Sequence, residues 1–159
     1  MDEGKPSVRL REIETEADVR RALSIREAVF VEEQGIPRAS DRDGRDAEAL
    51  HVLAFMGETC AGTGRLSARA DHIGHIARVA VLPAFRGQGL GRRLVEALER
   101  LAVREGMSGV YLEAHEARIP FYRKLGYTTV PATKWVGSHR LVAMTKAIGA
   151  REEAGVKPR

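Results

Sequence analysis

The sequence contains one cysteine, Cys60, among its 159 residues. A single cysteine can form neither a disulfide within the chain nor a cysteine cluster around a metal, so we expect neither. No run of about 18 apolar residues, the length that suggests a membrane-spanning helix, occurs in the chain. The first residues are polar and charged, unlike a signal peptide. These absences predict a cytoplasmic protein with no metal and no membrane contact.

Aromatic residues are also scarce, at 5% of the chain, although its formal net charge is +4. Surfaces that bind single-stranded nucleic acid combine a basic groove with aromatic side chains that stack on bases. Because the positive charge here is scattered and partly placed in the tail 151–159, we expect no nucleic-acid binding. A small positive excess suits an anionic cofactor equally well.

Length and composition predict one globular domain. Hydrophobic residues make up 43% of the chain and charged residues 30%, which is ordinary for a folded domain of this size. We expect its core within residues 8–147 and loose termini at 1–6 and 149–159.

The order of predicted elements indicates an α+β fold with a mixed sheet. Thr15 is a candidate N-cap for a helix that ends before Gly35, and a charged, exposed loop is expected at 38–48. Further helices are predicted at 90–102 and 118–125. The alternation of apolar residues predicts strands at 8–13, 51–55, 62–68, 76–81, 110–114, 127–130 and 141–145. A strand–helix–strand connection in the second half favours one parallel pair among antiparallel hairpins.

A glycine-rich turn joins the fourth predicted strand to the second long helix. Gly87, Gly89 and Gly91 leave successive backbone N–H groups unobstructed, and the helix that follows adds the positive end of its dipole. Arg86 and Arg92 add positive charge beside the turn. Such a turn predicts a site for phosphate or pyrophosphate.

Two common phosphate-binding patterns do not fit this turn. A P-loop requires Gly-Lys-Ser/Thr after the glycines, whereas Arg92 and Arg93 follow Gly91. A Rossmann turn requires glycine at its sixth position, which is Arg92 when the pattern starts at Gly87. On the spacing alone, a glycine-rich connection that binds nothing remains an alternative.

Three sequence blocks resemble the GNAT superfamily of N-acetyltransferases. Residues 80–91 resemble its acetyl-CoA signature, Arg/Gln-x-x-Gly-x-Gly/Ala, with Arg86, Gly89 and Gly91 at the fixed positions. Residues 117–127 resemble a second family block, and residues 25–35 resemble the N-terminal segment of the ElaA/YjcF-like branch. The blocks occur in the family's order and extend the resemblance from about Ile25 to Met144.

The resemblance implies a mixed, mostly antiparallel sheet that is splayed at the cofactor strand and flanked by helices. It implies transfer of the acetyl group of acetyl-CoA to a primary amine by direct attack, and it is compatible with a homodimer. A catalytically idle acyl-CoA sensor remains the alternative function. The residues that it assigns to the cofactor are Val79, Ala80, Val81, Arg86, Gly87, Gln88, Gly89, Leu90, Gly91, Arg92, His115 and Tyr122.

Two proton transfers accompany this chemistry. An alkylammonium, with a pKa of ~10.4, must lose a proton before it attacks, and the departing thiolate, whose reference pKa is ~8.5, must gain one. By resemblance Tyr122 is the general acid that protonates sulfur. The general base remains open among His75, Glu33, Glu113 and His115, with a water relay as a further route.

The acceptor is not defined by the sequence. Arg26 and Arg65 either point toward the acceptor or pair with nearby acidic residues, and Trp135 either walls the acceptor pocket or anchors a sheet edge. Many relatives carry asparagine where this chain has His115.

Overall fold

In the computed structural model, which describes residues 6–149, one seven-stranded sheet forms the centre of the fold. The strand order is β1-β2-β3-β4-β5-β7-β6, and only the neighbours β4 and β5 are parallel. This arrangement confirms the predicted α+β class with a mixed, mostly antiparallel sheet. The strands are β1 (Val8–Glu12), β2 (Leu50–Met56), β3 (Thr59–Arg69), β4 (Ile73–Val81), β5 (Gly109–His115), β6 (Thr128–Val136) and β7 (His139–Ala147).

Between residues 6 and 149, four α-helices flank the sheet. They are α1 (Glu16–Arg26), α2 (Arg38–Asp41), α3 (Leu90–Arg104) and α4 (Ile119–Lys124), and α1 continues as a π-helical segment, Glu27–Glu33. The Thr15 hydroxyl accepts a hydrogen bond from the backbone N–H of Asp18 at 3.1 Å, as expected of an N-cap. Short 3₁₀ turns occur at Asp46–Glu48, Ala70–His72, Pro83–Phe85 and Glu116–Arg118.

The two faces of the sheet are covered differently. On one face, α3 buries the main core against all the central strands, including Leu112 and Ala114 of β5. On the other face, α1 packs on β2, β3 and β4. Because side chains alternate along a strand, Tyr111, Glu113 and His115 of β5 lie on the face opposite α3, beyond the cover of α1.

Glycine brings α3 close to the sheet. A Cβ atom at Gly64 of β3 would lie 2.7 Å from Cδ1 of Leu98, closer than real atoms approach. A Cβ at Gly62 would lie 3.0 Å from Cδ1 of Leu94. The backbone of β3 therefore supports α3 directly, which fixes the position of the helix N-terminus that follows the glycine turn.

The expectation of an exposed loop at 38–48 is confirmed in part: most of its residues are exposed, but it contains α2 and a 3₁₀ turn, and Asp41 is buried. Asp41 is 2% exposed, and Arg26, itself 1% exposed, donates to its carboxylate at 3.1 Å and to Asp46 at 2.9 Å. Arg65 of β3 donates to Asp43 and Asp46 at 3.0 and 2.9 Å. Buried guanidinium groups need carboxylate partners, and the acidic residues of this segment provide them.

Strand boundaries differ from the predicted ones mainly at the C-terminal hairpin. β6 reaches Val136 rather than ending at residue 130, because its pairing with β7 breaks between Thr129 and Thr133 and then resumes. Pro131, which cannot donate to a ladder, lies in this irregular stretch. Gly149, expected in a loose terminus, is buried, whereas the remaining terminal residues, 1–5 and 150–159, lie outside the described residues.

No helix in the range 6–149 has the length and apolar character required to cross a membrane. Within that same range, no cluster of three or more His, Cys, Asp or Glu side chains is arranged to hold a metal ion.

Candidate active site

The central feature of the site is a wedge between β4 and β5. The two strands pair at only three positions, ending at His75 and Tyr111. Beyond them, β4 stays paired with β3 up to Val81, and β5 stays paired with β7 up to His115. The facing edges of the two strands therefore separate, which confirms the expected splay. Backbone groups on such open edges can pair with an extended ligand.

A bulge in β4 accompanies the separation. Thr63 of β3 lies opposite Ala80 and Arg65 lies opposite Ala77, so that Arg78 and Val79 together face Gly64 alone. Arg78 adopts a left-handed backbone conformation, with φ of 57°. A bulge bends its strand and increases the local twist, which turns the second half of β4 away from β5.

The Arg78 side chain ties this bulge to the acidic segment beside it. Its guanidinium donates to the Ser40 carbonyl at 2.9 Å and to the Asp43 carboxylate at 3.1 Å. Burial lowers the pKa of the Arg78 guanidinium, although the two neighbouring carboxylates oppose that shift. The strained conformation at Arg78 is thus held by contacts on the face that α1 covers.

The glycine turn lies where β4 leaves the sheet. Gly87 and Gly89 have φ of 79° and 83°, and no atom lies within 4 Å of where their Cβ atoms would be. Glycine is therefore needed there for backbone conformation rather than for space, and the turn surface is open. Gly89 is the N-cap of α3 and no side chain caps the helix, so its first-turn N–H groups are available to an anion.

Side chains around the turn differ in their surroundings. Leu90 is 1% exposed and packs near Met56 and Ala61, so only its backbone can meet a ligand. Gln88 and Arg92 are exposed beside the turn. Gly91 faces the Phe121 ring of α4, whose Cζ would lie 3.6 Å from an added Cβ. This approach places α4 next to the start of α3.

Arg86 forms a two-pronged ion pair with Glu33 at the end of the π-helical segment. Both N–O distances are 2.7 Å, and the Arg86 Nε also donates to the Val81 carbonyl at 2.8 Å. The hydrogen bond from Arg86 holds the pKa of the Glu33 carboxyl below its usual value. Glu33 is consequently a weak proton acceptor, and Arg86 connects the N-terminal segment to the end of β4.

Tyr122 of α4 packs among aromatic rings near the wedge. Its ring lies 4.9 Å from Phe121 and 5.8 Å from Tyr127, both edge-on. Burial raises the pKa of the Tyr122 phenol to about 12, so the hydroxyl keeps its proton at neutral pH. The hydrogen bonds found among residues 6–149 include none from this hydroxyl. It is a protonated donor that no protein group engages there.

A cluster of ionisable side chains lies where the wedge begins, on the face opposite α3. His75 Nε2 is 3.5 Å from Oε1 of Glu113, and Lys134 of β6 places Nζ 3.3 Å from the same oxygen. The Tyr111 hydroxyl donates to the other Glu113 oxygen at 3.3 Å. The contact with His75 and, after it, the contact with Lys134 lower the pKa of Glu113 to about 2. Glu113 is therefore an ionised acceptor that orients its neighbours.

His115 ends β5 and caps the turn that leads to α4. Its Nδ1 accepts a hydrogen bond from the Ala117 backbone N–H at 3.1 Å, so the neutral ring carries its proton on Nε2. The ring lies edge-on to His139 at 5.3 Å. His139 Nε2 in turn donates to the Gln34 carbonyl at 2.8 Å, joining the β6–β7 hairpin to the N-terminal segment.

The sequence-predicted residues lie in several separate parts of the site. Val79, Ala80 and Val81 lie along the wedge, the turn from Arg86 to Arg92 lies at its end, and Tyr122 lies beside that turn. His75 and Glu113 contact each other, whereas Glu33 contacts Arg86. Trp135 lies on the edge strand β6 and is 65% exposed.

Sequence reasoning missed Arg78, Lys134 and His139. Nothing in their local sequence signals a site, because each is brought there by the bulge in β4 or by the extension of the β6–β7 hairpin.

Comparison with known proteins agrees with this geometry. Residues 10–127 match the model of the Acetyltransferase (GNAT) family. A Bacillus subtilis protein assigned as an acetyltransferase is 36% identical over 140 residues, and the match covers 86% of this chain and 95% of the Bacillus protein. The uncharacterized N-acetyltransferase YjcF of Bacillus subtilis is 37% identical over 112 residues, covering 70% of this chain and 79% of its own. The crystal structure of an acyl-CoA N-acyltransferase from Pseudomonas aeruginosa superposes with a TM-score of 0.79 at 27% identity, covering 89% of this chain and 100% of that one.

The splayed mixed sheet with flanking helices is thus the acyl-CoA N-acyltransferase fold. The chain belongs to the GNAT family of acetyltransferases, and its similarity to YjcF confirms the resemblance to that branch.

Proposed function

We propose that the chain transfers the acetyl group of acetyl-CoA to a primary amine by direct attack. The observation that carries the proposal is the Tyr122 hydroxyl, which is protonated and not engaged by the described protein groups, beside strands that have separated. A module that only binds acyl-CoA has no use for such a donor. Family membership independently supports an acetyltransferase.

The donor would bind along the wedge and the glycine turn. Backbone groups of Val79 and Val81, which face the same edge of β4, would pair with the amide groups of the pantetheine arm, with Ala80 between them. The backbone N–H groups from Gly87 to Gly91 would hold the pyrophosphate at the start of α3, with Arg92 adding charge. Arg86 would act mainly through its pair with Glu33, and His115 would donate from Nε2.

Tyr122 would protonate the sulfur as the thiolate leaves. The pKa of about 12 ensures that the Tyr122 hydroxyl carries its proton. The departing thiolate has a lower reference pKa, ~8.5, so proton transfer to it requires a well-aligned donor in a low-dielectric site. The edge-on packing with Phe121 and Tyr127 would hold the ring in place.

His75 is the base that these contacts favour. Glu33 and Glu113 both have lowered pKa values, which makes them poor proton acceptors. His115 uses Nδ1 to accept the Ala117 N–H. His75 lies at the opening of the wedge with Glu113 beside its Nε2, so that Glu113 would stabilise the imidazolium that forms.

The reaction then runs in a defined order. His75, directly or through water, removes a proton from the acceptor ammonium, and the neutral amine attacks the thioester carbonyl carbon. The tetrahedral intermediate collapses as the carbon–sulfur bond breaks. The electron pair of that bond leaves with sulfur, which takes the Tyr122 proton. The attacking nitrogen gives up its second proton, which returns to Tyr122 directly or through solvent.

Thiol release from acetyl-CoA across a panel of primary amines tests the proposal. Turnover with at least one amine is expected, and His75→Asn should lower kcat by about 10²-fold or more. His72→Asn is the matched control, since His72 is an exposed histidine outside the wedge. Tight acetyl-CoA binding with no thiol release from any amine would support the sensor instead.

A further inference from the structure

One amine of the protein itself lies in the proposed acceptor site. Lys134 of β6 places Nζ 3.3 Å from Oε1 of Glu113, and the same oxygen lies 3.5 Å from His75 Nε2. Glu113 is two residues beyond Tyr111, the last β5 position that pairs with β4, so it lines the wedge. The Lys134 ammonium is thus presented where the proposed base and the proposed thioester meet.

The direction of this side chain follows from the sheet. Lys134 lies opposite Leu141 of β7, and Leu141 lies opposite His115 of β5. Lys134 therefore shares the face of His115 and Glu113, opposite α3, and reaches across β7 to the wedge. Its side chain is 52% exposed, so it can leave Glu113 and approach a ligand there.

Few of the described ion pairs in this chain use lysine as the cation. Among the described side-chain ion pairs, lysine supplies the cation twice, at Lys134–Glu113 and at Lys146–Glu99, and arginine or histidine supplies it elsewhere. Arginine stays charged and cannot act as a nucleophile at neutral pH, whereas lysine can lose its proton and attack. The cation beside Glu113 is one of the few that could be acetylated.

We propose that Lys134 is a self-acetylation site, modified by its own active site; the inference rests on the function proposed above. His75 takes a proton from the Lys134 ammonium, and Nζ attacks the carbonyl carbon of acetyl-CoA. The carbon–nitrogen bond forms and the carbon–sulfur bond breaks. Sulfur leaves with the electron pair and takes a proton from Tyr122, and the nitrogen gives its second proton back to Tyr122, directly or through solvent. The products are acetyl-Lys134, free CoA and the one proton that His75 took and releases.

Acetylation would change the charge of the site. The amide that forms carries no positive charge, so the ion pair with Glu113 is lost. Glu113 would then present its full negative charge to an incoming ammonium, which makes the modified protein better suited to a cationic acceptor.

The test is a time course with acetyl-CoA and no added amine, followed by peptide mass mapping of each lysine. Lys134 should be acetylated at least about tenfold faster than Lys124 and Lys146, because an amine held at the site needs no bimolecular encounter. The rate constant should not depend on protein concentration. Tyr122→Phe should slow Lys134 and leave the rates of Lys124 and Lys146 unchanged.

Three results would overturn the inference: equal rates at Lys134, Lys124 and Lys146, a rate that rises in proportion to protein concentration, or no effect of Tyr122→Phe on Lys134. Lys146→Arg is the matched control variant, since Lys146, like Lys134, is an ion-paired lysine, but its partner Glu99 lies on the α3 face, away from the wedge. If added amines are turned over while Lys134 stays unmodified, this inference alone fails. If neither an amine nor Lys134 is acetylated, the proposed function fails with it.

Discussion

Replacing Gly89 by alanine separates the backbone role of the glycine turn from its role in binding. Gly89 has φ of 83° and Gly106, at the other end of α3, has φ of 80°. Neither has an atom within 4 Å of where a Cβ would be placed. Alanine in this left-handed region costs about 1–2 kcal/mol, so both variants should lose similar stability. Urea unfolding of Gly89→Ala and Gly106→Ala measures that cost.

Only the Gly89 variant should lose affinity for the donor. Gly89 caps the helix whose free N–H groups we assign to the pyrophosphate, whereas Gly106 lies at the opposite end of that 15-residue helix. An added Cβ at Gly89 would project from the open turn surface where we place the pyrophosphate and keep it from one N–H group. Loss of one hydrogen bond to a charged group costs about 1.5–3 kcal/mol, which corresponds to a rise of about ten- to a hundredfold in the acetyl-CoA dissociation constant. Titration calorimetry measures it. Equal affinity of the two variants would refute the assignment of the turn.

Three further changes test the fold and the charge network. Glu113 has a pKa of about 2 against an ordinary 4.5, so its ionised form should stabilise the fold by up to about 3 kcal/mol above pH 4.5, and this contribution should be lost as pH falls toward 2. The free energies of urea unfolding of wild type and Glu113→Gln should converge over that range. A constant difference between them contradicts this assignment. Arg26→Met removes the buried cation of Asp41 and Asp46 and leaves Asp41 with Arg42 and Arg78 and Asp46 with Arg65, so it should cost up to about 3–5 kcal/mol in the same assay. Arg104→Met, at an exposed pair with Glu12, should change little. Leu98→Ala should lower the thermal midpoint, with a cost of about 2–5 kcal/mol, because Leu98 is fully buried under Gly64; an unchanged midpoint contradicts that packing.

The parts of the fold that sequence could predict are those with local causes. Thr15 caps α1 because its hydroxyl reaches a backbone N–H three residues on. The glycine turn could be predicted because Gly87 and Gly89 adopt left-handed backbone conformations that other residues avoid. The splay came from family resemblance, since no pattern in β4 or β5 alone indicates that two strands will separate.

The parts that could not be predicted depend on distant contacts. The segment 38–48 has few apolar residues and looks exposed, yet Asp41 is buried because Arg26 and Arg78 approach it from other elements. Arg78 adopts a left-handed conformation at the bulge opposite Gly64, where its contacts with Ser40 and Asp43 hold it. Lys134 reaches Glu113 because β6 resumes its pairing beyond Pro131, past residue 130, where the predicted strand ends.

The most direct test of the central claim is the effect of Tyr122→Phe on turnover of an amine that the wild type acetylates. We predict a fall in kcat of about 10²-fold or more with little change in the acetyl-CoA dissociation constant, because only the proton donor is lost. Tyr127→Phe is the matched control, since that hydroxyl donates to Glu99 and should affect stability rather than kcat. An unchanged kcat in Tyr122→Phe would contradict the account.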